Sequence, residues 1–278
     1  MIGRCLTALT SGYEVGELEV LVVCNGCSDD TAEIARQFGP PVRVLETEVP
    51  SKTNALNLGD DAALGFPRVY MDADVVIDLA SLRQLAGALV NGSVLACAPK
   101  PLSVFGPNAS WSVRAFYRLW MALPHIQDGM IAAGVYAISE AGRRRFEKFP
   151  DIIADDGYVR LLFEPHERLL VEGAISEVRE PLTLGDLLKI KTRSRLGEMQ
   201  LWQRYPDLCA RDLKTKRYFR ALSTILKSPS LYVATVPYLY VNIISRLRAR
   251  KQFKSTKCYV WERDNSSRSP QPLESGST

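Results

Sequence analysis

Two carboxylates one residue apart, Asp72 and Asp74, interrupt the apolar run VYMDADVVID at residues 69–78. On an extended chain or a tight strand-end turn, acids at that spacing point to the same side, and they repel unless a cation stands between them. A second acidic pair, Asp155 and Asp156 in IIADDGYVRLLF, opens a short apolar-periodic stretch. Acids there can interact with a helix dipole, or one of them can take a proton from a substrate when its neighbour raises its pKa. Lys52 follows Ser51 at the head of SKTNALNLG, where a cation and the free amides of a helix start favour the same anion; an ordinary solvated lysine is the plainer reading. CNGCSDDT at residues 24–31 offers either a Cys-x-x-Cys redox pair, Cys24 and Cys27, or a polar turn carrying Asn25 and Asp29. The two histidines, His125 and His166, stand too far from other reactive types to form a constellation, and surface or packing roles are expected for both.

The elements that would position these residues alternate. EVLVVC (19–24), VRVLE (42–46), RVYMDAD (68–74) and SVLACAP (93–99) read as strands. Between them, SDDTAEIARQF (28–38), SKTNALNLGDDAAL (51–64) and LASLRQLAGALV (79–90) read as helices. That alternation predicts an α/β fold with a mostly parallel sheet flanked by helices, whose ligands bind beyond the carboxyl ends of the strands. Asn25, Asp29, Asp72 and Asp74 all fall at such ends. Later, MIAAGVYAIS (130–139) is a strand candidate, ADDGYVRLLF (154–163) a helix, and RLLVEG with ISEVRE a pair of late strands.

At 278 residues and 46% apolar content the chain can bury a full core, with one large domain plus appendages as the natural expectation. The six cysteines form no repeating framework, and the opening residues carry no signal-peptide pattern, which favours a reducing, cytoplasmic setting. Charge is unevenly spread. Between Lys189 and Lys257 there are 17 Lys/Arg against 3 Asp/Glu, although the net charge of the whole chain is only +4. Within that region SPSLYVATVPYLYVNIIS (228–245) carries no charge, and RLRARKQFK follows at once. Such a segment suits a helix lying on an anionic bilayer surface, or a helix packed on the rest of the protein. The expected organisation is therefore a catalytic domain over 1–182, a basic helical region over 183–257 and a polar tail over 258–278 that is disordered at its end.

In that order and at those spacings, VLVVCNGCSDDTAEIARQFG, SKTNALNLG, VYMDADVVI, GVYAIS and IIADDGYVRLLF resemble the inverting family 2 glycosyltransferases of the GT-A fold, over roughly residues 1–200. The resemblance implies transfer of a sugar from a nucleotide-diphosphate-sugar donor to an acceptor hydroxyl, saccharide or lipid-linked, in cell-surface polysaccharide or glycolipid synthesis. It implies Mg²⁺ or Mn²⁺ held by Asp74, with Asp72 touching the ribose or a metal-bound water, and Asp156 as general base beside Asp155. Lys52 would meet the diphosphate, and Asn25 and Asp29 the nucleoside, although acidic residues usually occupy the positions of Cys24 and Asn25. Arg193 and Arg195 lie where the family often places a Gln/Arg-x-x-Arg-Trp motif over the diphosphate, here without its Trp. The opening MIGRCLTALTSGY reads as the helix that follows the family's first strand, so that strand and its base-holding turn are expected to be missing. A nucleotidyltransferase of similar layout and a non-catalytic binding remnant remain as the rival readings.

Overall fold

The computed structural model describes residues 1–90, 92–123, 133–211 and 228–255. The chain opens with α1 (Ile2–Thr10), whose Ile2, Cys5, Leu6 and Leu9 recur at helical spacing and are all buried. It continues through β1 (Val20–Asn25), α2 (Thr31–Arg36), β2 (Val42–Thr47) and α3 (Lys52–Ala62). The side chain of Ser51 caps α3 by accepting a hydrogen bond from the Asn54 amide. β3 (Arg68–Met71), β4 (Val76–Ile77), α4 (Leu79–Val90), β5 (Ala96–Val104) and α5 (Trp111–Ala122) follow. The second half comprises β6 (Val135–Ile138), α6 (Glu140–Arg143), α7 (Asp155–Leu162), β7 (Arg168–Arg179), α8 (Leu184–Arg204), α9 (Pro206–Arg211) and α10 (Tyr232–Ser255).

The strands form two sheets among the described residues, β1-β2 and β3-β6-β5-β7-β4. Parallel pairing joins β1 to β2 and β5 to β7. The shorter ladders, β3 with β6, β5 with β6 and β4 with β7, are antiparallel. The mixed α/β architecture thus follows the sequence reading, with the parallel part carried by the two long ladders. No backbone pairing joins β1 to β3. Side chains bridge the two sheets instead: Leu6 and Leu9 of α1 share one core with Val20, Val22 and Val44 of the small sheet, with Ile77 and Val135 of the large one and with Val75 just before β4.

Two expectations change. RLLVEG and ISEVRE are not separate strands but one continuous β7, paired along β5 with a register shift at Pro99/Lys100. No turn-forming pair separates them, and the irregularity is absorbed as a bulge. The strand expected over 130–139 is confined to Val135–Ile138, and residues 130–132 lie outside the described range. The polar tail at 258–278, His125 and the stretch 212–227 also lie outside it.

The helices α5, α8 and α10 pack together. Phe116 stacks on Tyr238 with ring centroids 5.3 Å apart, and Val113, Leu187 and Val241 are fully buried between them. A second joint is polar: Arg195 on α8 donates to Asn242 Oδ1 on α10 at 2.7 Å. Under α3, Asp60 is buried and accepts hydrogen bonds from Tyr70 at 2.6 Å and Arg68 at 2.5 Å, and it also pairs with Arg143. Burial works against its charge, yet the bonds from Arg143, Tyr70 and Arg68 hold its carboxyl below the usual range. That cluster ties α3, β3 and α6 into one unit.

Candidate active site

β3 ends at Met71, and the chain then turns, the Val75 amide donating to the Asp72 carbonyl at 3.1 Å. This turn separates the two acids that the sequence placed side by side. Asp72 faces a narrow cleft that is also lined by Lys52, Tyr70, Gly134, Tyr136, Asp155 and Asp156. Asp74 lies outside that lining, and its charge reaches Cys5 on α1, whose thiol is pushed up to about 11 by burial first and by Asp74 second.

The cation between carboxylates is the protein's own. Lys52, first residue of α3, places Nζ 2.7 Å from Asp72 Oδ1 and 3.1 Å from Asp155 Oδ1. Burial works against the ammonium, but Asp72, Asp155 and Asp156 outweigh it and hold the pKa above its ordinary value. Asp155 responds in the opposite way. Its side chain is only 3% exposed, and burial raises the carboxyl to about 6, with Lys52 pulling it down and Asp156 and Asp72 pushing it up. Its second oxygen, Oδ2, is buried without a hydrogen-bond partner, and so is the hydroxyl of Tyr136 on β6. Tyr136 stacks on Tyr70 with centroids 5.2 Å apart, which gives the cleft a rigid aromatic floor. Asp156, half-buried, accepts from the Gly157 amide through Oδ1 at 2.6 Å.

Two glycines let the backbone close around this cluster. Gly134 adopts φ +82°, and a Cβ there would stand 2.7 Å from Val75 Cγ2 and 3.1 Å from Asp72 Oδ2. Its carbonyl accepts from the Asp72 amide at 2.8 Å, so the turn before β6 fixes the residue that holds Lys52. Gly197 lets α8 approach the segment before α7, since a Cβ would stand 2.8 Å from that of Ala154. Gln200, one turn on, accepts from the Ile153 amide at 3.0 Å. Sequence reading missed Tyr136, Gly134, Gly197 and Gln200. GVYAIS carried the signal for the first two, a glycine next to a buried strand that begins beside an acidic turn.

The remaining predicted residues are elsewhere. Asn25 ends β1 opposite Thr47, and the exposed Asp29 accepts from the Thr31 amide at 3.2 Å. Neither lines the cleft. Neither arginine lines the cleft: Arg193 sits one helical turn before Gly197, and Arg195 is engaged by Glu198 and Asn242. Residues two apart on a helix differ by about 200° in direction, so one of these arginines must leave the face that the other occupies. Cys24 is raised to about 11 by burial and by its neighbour Cys27, the reverse of the depressed thiol on which redox pairs rely.

The donor set is hard oxygen: the carboxylates of Asp72, Asp155 and Asp156 crowd one lysine, and Asp74 follows in the adjoining turn. Among the described residues no three His, Cys, Asp or Glu side chains converge as a complete metal cage. A hard divalent ion needs only one or two carboxylates when a diphosphate supplies further oxygens. The excess of negative charge fits such an ion, because an anionic substrate would otherwise be repelled.

Residues 1–157, more than half of the chain and including every acid of the cleft, match the profile of glycosyl transferase family 2. The chain belongs to that family. Glycosyltransferase AglE of Haloferax volcanii is 38% identical over 78 residues, which is 26% of this chain and 26% of the relative. The alignment therefore spans about a quarter of that curated protein. A mannosyltransferase from Pyrobaculum calidifontis, PcManGT, solved with GDP-Man and Mn²⁺, superposes with a TM-score of 0.59 at 18% identity, covering 91% of this chain and 82% of that one. At that identity the likeness establishes the shared fold. It covers a larger share of the chain than the family 2 match does.

Proposed function

We propose that this family 2 protein transfers a sugar from a nucleotide-diphosphate-sugar to an acceptor hydroxyl with inversion at the anomeric carbon. The observation that supports this reading is the cluster of Lys52 with Asp72, Asp155 and Asp156, at the end of β3 and the start of α3 and α7. Lys52 and the N-terminal amides of α3 would receive the diphosphate, with Arg193 as a further cation. Asn25 and Asp29 would hold the nucleoside. Asp72 and Asp155 keep Lys52 charged and oriented, and the partnerless Asp155 Oδ2 and Tyr136 hydroxyl are suited to sugar hydroxyls, which both donate and accept. Asp74 would hold Mg²⁺ or Mn²⁺ at the mouth of the turn, with Asp72 on its cleft side, and the ion when bound offsets the charge on the departing diphosphate.

Asp156 would take the proton as the acceptor oxygen attacks the anomeric carbon opposite the breaking bond to the diphosphate. A base must be reachable by the acceptor, and Asp156 is half-buried where Asp155 is closed off by Lys52. The acceptor would be a saccharide or lipid-linked hydroxyl, used in cell-surface polysaccharide or glycolipid synthesis on the cytoplasmic side. The test is incubation with a panel of uridine- and guanosine-diphosphate sugars and Mn²⁺. Release of nucleoside diphosphate with a transferred sugar supports the reading, and release of pyrophosphate would instead mean nucleotidyl transfer. Absence of turnover together with absence of nucleotide-dependent thermal stabilisation would mean a non-catalytic remnant.

A further inference from the structure

α10 is apolar on two sides. Ala234, Pro237, Val241, Ser245 and Ala249 are buried against α5 and α8, so this helix is already seated on the protein. Yet Tyr232, Val236, Leu239, Tyr240, Ile243 and Leu247 are all exposed, Val236 at 71%. Their spacing of three and four residues puts them on one outward stripe. Continuing that stripe toward the helix C-terminus, the same direction is taken by Arg246, Arg250, Lys251 and Lys254, all exposed. From residue 228 to 255 there is no Asp or Glu.

We propose that this outward face docks on an anionic lipid bilayer, with α10 lying in the plane of the membrane while its inner face stays packed on α5 and α8. The apolar stripe would enter the headgroup boundary, the two tyrosines suit an environment that is apolar at one end and wet at the other, and the basic end would meet lipid phosphates. No described helix is long and apolar enough to cross a membrane, so the contact is one of surface, not span. A second copy of the chain fits the face poorly. Docked parallel through the same stripe, the two basic ends would meet, and docked antiparallel each basic end would lie over the other's apolar stripe, with no carboxylate on either helix to pair it.

The test is flotation of the purified full chain with vesicles of phosphatidylcholine alone and of phosphatidylcholine with one third phosphatidylglycerol. Binding is expected only to the anionic vesicles and is released by salt, since surface charge attraction is screened within a Debye length. Val236→Asp with Ile243→Asp should reduce the bound fraction about tenfold or more, the scale of one fully buried aliphatic side chain. Arg250→Glu with Lys251→Glu should do the same. The altered side chains are exposed, so thermal melting should be unchanged, and transfer to a soluble acceptor is read in parallel to keep this result separate from the catalytic one. Equal recovery on neutral and anionic vesicles, or variants that float like the parent chain, would overturn the proposal. So would a sedimentation-velocity result in which Val236→Asp with Ile243→Asp dissolves a dimer and leaves vesicle binding intact.

Discussion

Lys52 Nζ stands 3.1 Å from Asp155 Oδ1, joining the first residue of α3 to the first residue of α7 across the mouth of the cleft. The pair is asymmetric: the lysine is 33% exposed and the aspartate 3%. Such an ion pair matters most to its buried member, which has no water to turn to when the partner is lost.

Lys52→Met should therefore strand Asp155 among Asp72 and Asp156. The carboxyl would rise further and hold its proton to higher pH. A stability loss of about 2 kcal/mol is expected, between the limits for exposed and buried pairs. Thermal melts at pH 7 and pH 5 check this. The deficit should shrink at the lower pH, where protonation of Asp155 removes the unpaired charge.

Asp74→Asn should abolish the extra thermal stabilisation that Mn²⁺ confers with a nucleoside diphosphate, measured against the variant's own ligand-free melt. A bound ligand stabilises in proportion to its occupancy, about 2.7 kcal/mol at one hundred times Kd, so the effect is measurable. Unchanged metal-dependent stabilisation would remove Asp74 from the ligand set.

Asp156→Asn should keep donor affinity and lose transfer by about 10²-fold or more, the scale of a positioned general base. Isothermal titration with donor and a transfer assay separate the two quantities. Lost donor binding with normal residual turnover would assign Asp156 another role.

Asp60→Ala should destabilise the fold by about 3–5 kcal/mol, because it leaves Arg68 and Arg143 facing each other with no anion. The pH dependence has a definite sign. The folded-state pKa of Asp60 is depressed, so its contribution is present above the ordinary carboxylate range and is lost as pH falls toward the folded value. Denaturant titrations from pH 7 downward should show the parent chain losing stability in acid more steeply than the variant.

Gly134→Ala should cost about 1–3 kcal/mol through its left-handed backbone and the close approach to Val75. The same Cβ would crowd Asp72, so nucleotide affinity should fall with stability. Gly142→Ala offers a comparison, since that glycine packs against Leu95 and Ile138 at a distance from the acids.

The sequence by itself determined most element types and placed acids at the end of β3 and at the start of α7. Ser51 before Lys52, the apolar run before Asp72 and the acids opening IIADDGYVRLLF are local patterns, and local patterns follow from capping, periodicity and strand length. LASLRQLAGALV is a helix over Leu79–Val90, the boundaries its periodicity implies. Which charges meet was decided only in three dimensions. Asp72 and Asp74 are neighbours in sequence, yet a single turn sends Asp72 to Lys52 and leaves Asp74 toward α1. Asp60 carries no signal of its own in the helix 51–64, and only the fold brings the arginines of β3 and α6 to it. Arg195 joins α10 rather than the cleft because packing of α8 fixed which side of the helix it leaves from. α10 itself had two competing descriptions in its sequence, packed helix or surface helix. An apolar segment of even composition does not say which stripe faces inward, and the packing of α5 and α8 chose that stripe and left the other exposed.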